Sequence, residues 1–150
     1  MSQIIFYEKP GCAGNARQRA LLAAAGHTLT RRNLLEAVWT RDELLAFFEH
    51  IPVAQWFNRA ALRIKTGTLV PESLDAETAL AELLADPLLI RRPLMQREDG
   101  ARLVGFDLDD LERFVGLGAN RPKGSSLEGC VAAPQAESCR VVAPARLDQP

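Results

Sequence analysis

Cys12, Cys130 and Cys139 are the chain's cysteines, and their surroundings differ. Cys12 follows Lys9-Pro10-Gly11, which ends the apolar run Ile4-Ile5-Phe6-Tyr7, and it precedes a stretch of strong helix formers. That setting puts the thiol where a helix begins. Unpaired backbone N–H groups and the positive end of the helix dipole favour a thiolate there, and the thiolate is the nucleophile. The same donors form a cradle for an oxyanion. Free cysteines are often small buried hydrophobes, but a strand–turn–helix setting points to a reactive group. Arg17 lies one turn into the helix and is placed to turn toward Cys12, whereas Arg19 reads as a solvated helix residue. Cys130 and Cys139 are spaced too widely for the short pairs of zinc sites, which leaves them as exposed thiols or as resolving partners for an oxidised Cys12. His27 and His50 fall at helix ends, where dipole or solvent accounts for them. No second ligand stands at metal spacing, so neither a metal nor a bound cofactor is expected.

The elements that must position these residues are legible in outline. Ile4–Tyr7 has β propensity and reads as a buried strand. From Asn15 to Ala25 the residues are strong helix formers, with Gly26 as the residue after the cap. Thr28–Asn33 alternates weakly as a second strand. Thr40 and Glu43 form a capping box that opens a helix through Glu49. Asn58 is predicted to cap a short helix, Arg59 to Lys65, and a further helix spans Asp75 to Ala85, ended by Asp86-Pro87. Leu94–Arg97 and Ala101–Val104 flank Glu98-Asp99-Gly100 as a hairpin, and Asp107 caps Leu108 to Val115. Trp39, Trp56 and Phe57 read as core or groove residues. After Gly118 the periodicity is lost and Gly, Ser, Pro and Ala gather, so residues 1–117 are expected to form one domain and 118–150 a disordered tail.

Composition narrows the function classes. A net charge of −1 and a pI near 6.1 argue against direct nucleic-acid binding, which favours basic domains. No apolar run reaches the roughly 20 residues that span a bilayer. The N-terminus lacks the basic start and apolar length of a signal peptide, so a cytoplasmic location is expected.

The order strand–helix–strand, inserted helices, two strands, helix is that of an α/β, thioredoxin-like fold with a mid-chain helical insertion and a C-terminal flexible tail. In such a fold Arg92-Pro93 stands where a proline, typically cis, faces the active cysteine, and Arg92 becomes a guanidinium donor for an anion on sulfur. Phe6-Tyr7-Glu8-Lys9-Pro10-Gly11-Cys12, Leu89-Ile90-Arg91-Arg92-Pro93-Leu94 and the spacing between them resemble the glutaredoxin-dependent arsenate reductase (ArsC) family and its Spx-like relatives, over about Gln3 to Val115. The resemblance implies that Cys12 attacks an oxyanion, that arginines hold it, and that glutathione and glutaredoxin recycle the sulfur. Cys12 matches the nucleophile, and Arg92 with Pro93 matches the arginine before the cis-proline. A helix-opening serine appears as Asn15, and the arginine beside it has become Ala16, with Arg17 one step on. By an ungapped count back from Arg92 the middle arginine falls on Ala54, and the last, in a Gly-Arg-Pro triplet after the hairpin, falls on Phe106 within Gly105-Phe106-Asp107. A histidine near the cysteine is Glu8, whose charge opposes the thiolate if it points inward. Each lost donor is worth about 3–4 kcal/mol of transition-state stabilisation, which argues against efficient arsenate reduction.

These departures resemble the nitrogenase-associated branch of the family, together with Ala-Arg-Gln-Arg-Ala-Leu-Leu, Pro-Val-Ala-Gln-Trp-Phe-Asn and Lys-Thr-Gly before Pro71-Glu72. Members accompany nitrogen-fixation genes. Three readings follow from the resemblance. One is a thiol-dependent redox or oxyanion-handling accessory of nitrogen fixation, partnered by glutaredoxin or a nitrogen-fixation protein. A second is an arsenate reductase in which Arg17, Arg59 or Arg63 completes the clamp. The third is a non-enzymatic, Spx-like adaptor in which Cys12 senses redox state.

Overall fold

The computed structural model describes residues 1–122. Most of the expected tail, with Cys130 and Cys139, lies outside the described residues. The elements run β1 (Gln3–Glu8), α1 (Ala13–Ala24), β2 (Thr28–Asn33), α2 (Arg41–Phe48), α3 (Leu62–Lys65), α4 (Ala76–Ala85), β3 (Leu94–Arg97), β4 (Arg102–Val104) and α5 (Leu108–Phe114). The strands form one sheet in the order β2-β1-β3-β4, with β1 parallel to β2 and antiparallel to β3. α1 is the crossover that a parallel pair requires. The inserted helices α2 to α4 lie between β2 and β3, as the thioredoxin-like pattern requires.

Alternation along the strands sends side chains to two separate cores, because neighbouring strand residues face opposite sides of a sheet. Ile4, Phe6 and Met95 pack with Leu22 of α1 and with Leu108, Leu111 and Phe114 of α5. Tyr7, Leu94 and Val104 turn the other way, onto Phe47, Phe48, Trp56, Leu80 and Leu83 of the insertion. Phe106 is fully buried in the first of these cores.

Local signals explain most boundaries. Thr40 accepts from the Glu43 amide at 3.1 Å while Glu43 accepts from the Thr40 amide at 3.3 Å, completing the capping box of α2. Asp107 Oδ1 accepts from the amides of Asp109 and Asp110 and opens α5. Two boundaries differ from expectation. α1 begins at Ala13, with Cys12 as its N-cap residue, rather than at Asn15. α3 begins at Leu62, because Asn58 Oδ1 takes the Ala60 amide at 3.1 Å and holds a turn where a helix was predicted.

His27 is a further correction. It is buried rather than solvated. Its Nδ1 accepts from the Ser2 amide at 3.1 Å, and its Nε2 lies 2.8 Å from the Gly116 carbonyl. A carbonyl cannot donate, so Nε2 carries the proton and the ring ties the start of β1 to the end of α5.

Candidate active site around Cys12

Lys9-Pro10-Gly11-Cys12 forms a tight turn in which the Cys12 amide donates to the Lys9 carbonyl at 3.2 Å. Proline stands second and Gly11 third, with Gly11 at φ +82°. That is the type II pattern, and the positive φ is why glycine occupies the third position. The turn ends β1 and delivers Cys12, in extended backbone, to the N-cap of α1. Cys12 has no side-chain capping bond to the helix, and it is 8% exposed.

A buried amide pair braces this turn. Asn15 Oδ1 accepts from the Lys9 amide at 3.1 Å, and Asn15 Nδ2 donates to Gln18 Oε1 at 2.7 Å. Gln18 is fully buried and was not singled out from the sequence. Its signal there is weak, since a glutamine in a helix usually faces water.

The sheet brings the second candidate to the same end of the fold. Tyr7 of β1 pairs with Leu94 of β3, so the residues leading into β3 lie beside those leaving β1. These are Arg92 and Pro93, joined by a cis peptide. Arg92 is buried. Lys9 is half-buried, and its ammonium is pushed below its ordinary range by burial first and by the Arg92 guanidinium second. Two cations therefore share one cleft beside the Cys12 turn. Lys9, Arg63 and Arg92 share the lining of a cleft of about 260 Å³, together with Asn58, Leu62, Asp86 and Leu88. Lys9 was absent from the sequence-based candidates, because an exposed solvated lysine is the ordinary reading of that residue type.

Other candidates take different places. Arg17 is exposed and directed to solvent, and no ion pair engages it among the described residues. Arg19, expected in solvent, instead pairs with Glu8: its Nε lies 2.7 Å from Oε1, and Arg31 Nε lies 2.7 Å from Oε2. Glu8 does point inward, at 3% exposure, but two guanidinium groups offset its charge. Arg59 pairs with Glu72 and donates to the Ala54 carbonyl at 2.7 Å, away from the cleft lining. Arg63 does line the cleft, held by Glu82 at 3.0 Å and Asp86 at 3.8 Å. Trp56 and Phe57 are core residues, and Trp56 donates to the Ile51 carbonyl at 2.7 Å. His50 is exposed. Among the described residues no His, Cys, Asp and Glu side chains cluster as a metal site, and no helix is long and apolar enough to cross a membrane.

Glu8→Gln is expected to destabilise the fold by about 1–3 kcal/mol, because the amide keeps one acceptor oxygen but turns an N–H donor toward the other guanidinium and removes the buried negative charge that balances both. The cost stays below that of a fully buried pair, since Arg31 is 56% exposed and can return to water. Urea denaturation of the variant checks this.

The geometry agrees with comparisons to known proteins. The profile of the ArsC family matches residues 13–114, opening one residue after Cys12. An uncharacterised 15.7 kDa protein of Rhodospirillum rubrum, from the draG 3′ region, is 43% identical over 130 residues, covering 87% of this chain and 89% of that protein. Among solved structures, an ArsC family related protein from Bacteroides fragilis matches with a TM-score of 0.65 at 25% identity, over 73% of this chain and 95% of that one. An arsenate reductase from Vibrio cholerae matches with a TM-score of 0.60 at 20% identity, over 77% and 98%, a likeness of fold. The fold is thus the thioredoxin-like one of these structures, and the chain belongs to the ArsC family.

Proposed function

We propose that the protein is a thiol-dependent accessory of nitrogen fixation, in which reduced Cys12 attacks an oxyanion or a disulfide while Arg92 and Lys9 hold the negative charge. One observation carries the reading: the Cys12 turn and the Arg92–Pro93 segment meet at one end of the sheet, where Lys9 and Arg92 line one cleft. In disulfide exchange the Cys12 thiolate forms a new S–S bond and the second sulfur leaves as a thiolate. In oxyanion reduction two thiols, Cys12 and glutathione, supply two electrons and end as a mixed disulfide, while the central atom gives up one oxygen as water. Glutaredoxin then reduces the mixed disulfide. The site is cytoplasmic in this reading, where glutathione and thioredoxin keep thiols reduced. The nitrogen-fixation role rests on the resemblance of the Phe6–Cys12 motif and the residues around Trp56 to that branch.

Arg63 favours a second reading, arsenate reduction. It lines the cleft with Lys9 and Arg92, so that, if an arriving oxyanion drew it from Glu82 and Asp86, it would supply a donor that Ala54 and Phe106 cannot.

The test is genetic. Deleting the gene in its host should slow growth on dinitrogen but not on ammonium. Complementation by the wild type should restore growth, and complementation by Cys12→Ser should not. Unchanged growth of the deletion strain on dinitrogen removes the nitrogen-fixation role, and rescue by Cys12→Ser removes the thiol.

A further inference from the structure

The cleft beside the Cys12 turn is larger and less polar than an inorganic oxyanion needs. Its volume of about 260 Å³ is many times the roughly 10–15 Å³ of such space that one water needs, while a tetrahedral oxyanion is only a few times the size of one water. Its lining is also divided in character. Lys9 and Arg92 supply positive charge, and the Lys9 ammonium has no hydrogen bond or ion pair among the described residues. A half-buried ammonium without a partner gains from an arriving anion. Arg63 adds little charge for a ligand, because Glu82 and Asp86 already hold it. Asp86 itself lines the cleft and repels a second negative group. The remaining wall is aliphatic. Leu62 is 74% exposed and Leu88 46% exposed, both among the few large apolar side chains in water, and both line this cleft. Such exposed apolar surface at a concave site marks a contact for an apolar group.

We infer that the Lys9–Arg92 cleft binds a small aliphatic monocarboxylate, with its carboxylate on the two cations and its chain along Leu62 and Leu88. This rests on the proposed reading of the cleft as an anion site and adds the class of ligand. A compact polar anion leaves the leucines wet. A dicarboxylate brings a second charge toward Asp86.

Calorimetric titration of the reduced full-length protein tests the assignment, with acetate, butyrate, hexanoate, adipate and sulfate as probes. Affinity should rise about two- to fourfold per added methylene from acetate to hexanoate, and hexanoate should bind more tightly than adipate or sulfate. Leu62→Ser, an exposed position whose change does not threaten the fold, should flatten that rise. Lys9→Ala should weaken hexanoate about tenfold or more, with circular dichroism confirming that the variant is folded. Sulfate binding as tightly as hexanoate, or a flat series in the wild type, overturns the aliphatic assignment and leaves the anion site standing. Adipate binding as tightly as hexanoate overturns the single-charge restriction. Failure of every anion to bind overturns the inference and removes the anion-holding part of the proposed function as well.

Discussion

Arg92→Ala is expected to lower Cys12-dependent turnover roughly 10²–10³-fold, the effect of deleting one preorganised donor from an anion-stabilising site. The loss should fall mainly on kcat if the guanidinium meets charge that develops in the transition state, and on KM if it only binds the ground state. Arg92→Lys keeps the charge but not the planar fork of donors, so partial recovery is expected. The measurement is glutathione- and glutaredoxin-dependent reduction of arsenate or molybdate, followed through glutathione oxidation, with Cys12→Ser as the background. The reason to expect so large an effect lies in the setting. Arg92 is buried, and it precedes β3 at the end of the sheet where β1 runs into the Cys12 turn. Activity within threefold of wild type would place the anion elsewhere.

Phe48→Ala should be the most damaging single change to the fold, at about 3–5 kcal/mol. Phe48 is fully buried and stacks on Trp56 at 5.5 Å between ring centroids, within the core that joins the inserted helices to the sheet. Such a ring pair adds about 0.5–1.5 kcal/mol beyond its buried area. The cavity cannot close easily, because α2 is anchored by its capping box at one end. Thermal and urea unfolding should show a melting temperature lower by roughly 10 °C or more. A loss below about 1 kcal/mol would mean that the insertion repacks freely. The consequence reaches the site, since this core supports the segment bearing Leu62 and Arg63.

The parts of the fold legible in the sequence are those governed by near neighbours. The capping box at Thr40, the Asp107 cap and the turn at Pro10-Gly11 each involve residues a few positions apart, and each appears in the structure. The position of Cys12 at a helix start belongs to this group. What escaped depends on chain segments far apart in sequence. His27 looked solvated because Ser2 and Gly116, its hydrogen-bond partners, lie on other elements. Glu8 looked like an isolated charge near the thiol until α1 and β2 supplied Arg19 and Arg31. At Asn58 two local signals competed: the side chain can cap a helix or close a turn on itself, and the turn won. An ungapped count led to Ala54, while the fold of the insertion brings Arg63 to the cleft. Lys9 shows the same limit: its residue type suggests solvent, and only the pairing of β1 with β3 sets it against Arg92.

The central claim is that Cys12 is the reactive thiol of this chain, activated by the helix start and the neighbouring cations. Competitive alkylation tests it most directly, by mixing fully reduced protein with limiting iodoacetamide at neutral pH and reading the label at each cysteine by mass spectrometry. In the proposed reading the helix terminus and the cations favour the thiolate at Cys12, so Cys12 should be labelled at least about threefold faster than Cys130 or Cys139, and Arg92→Ala should narrow the gap. Equal labelling of the cysteines, or preferential labelling of Cys130 and Cys139, would contradict the account and make Cys12 a structural residue.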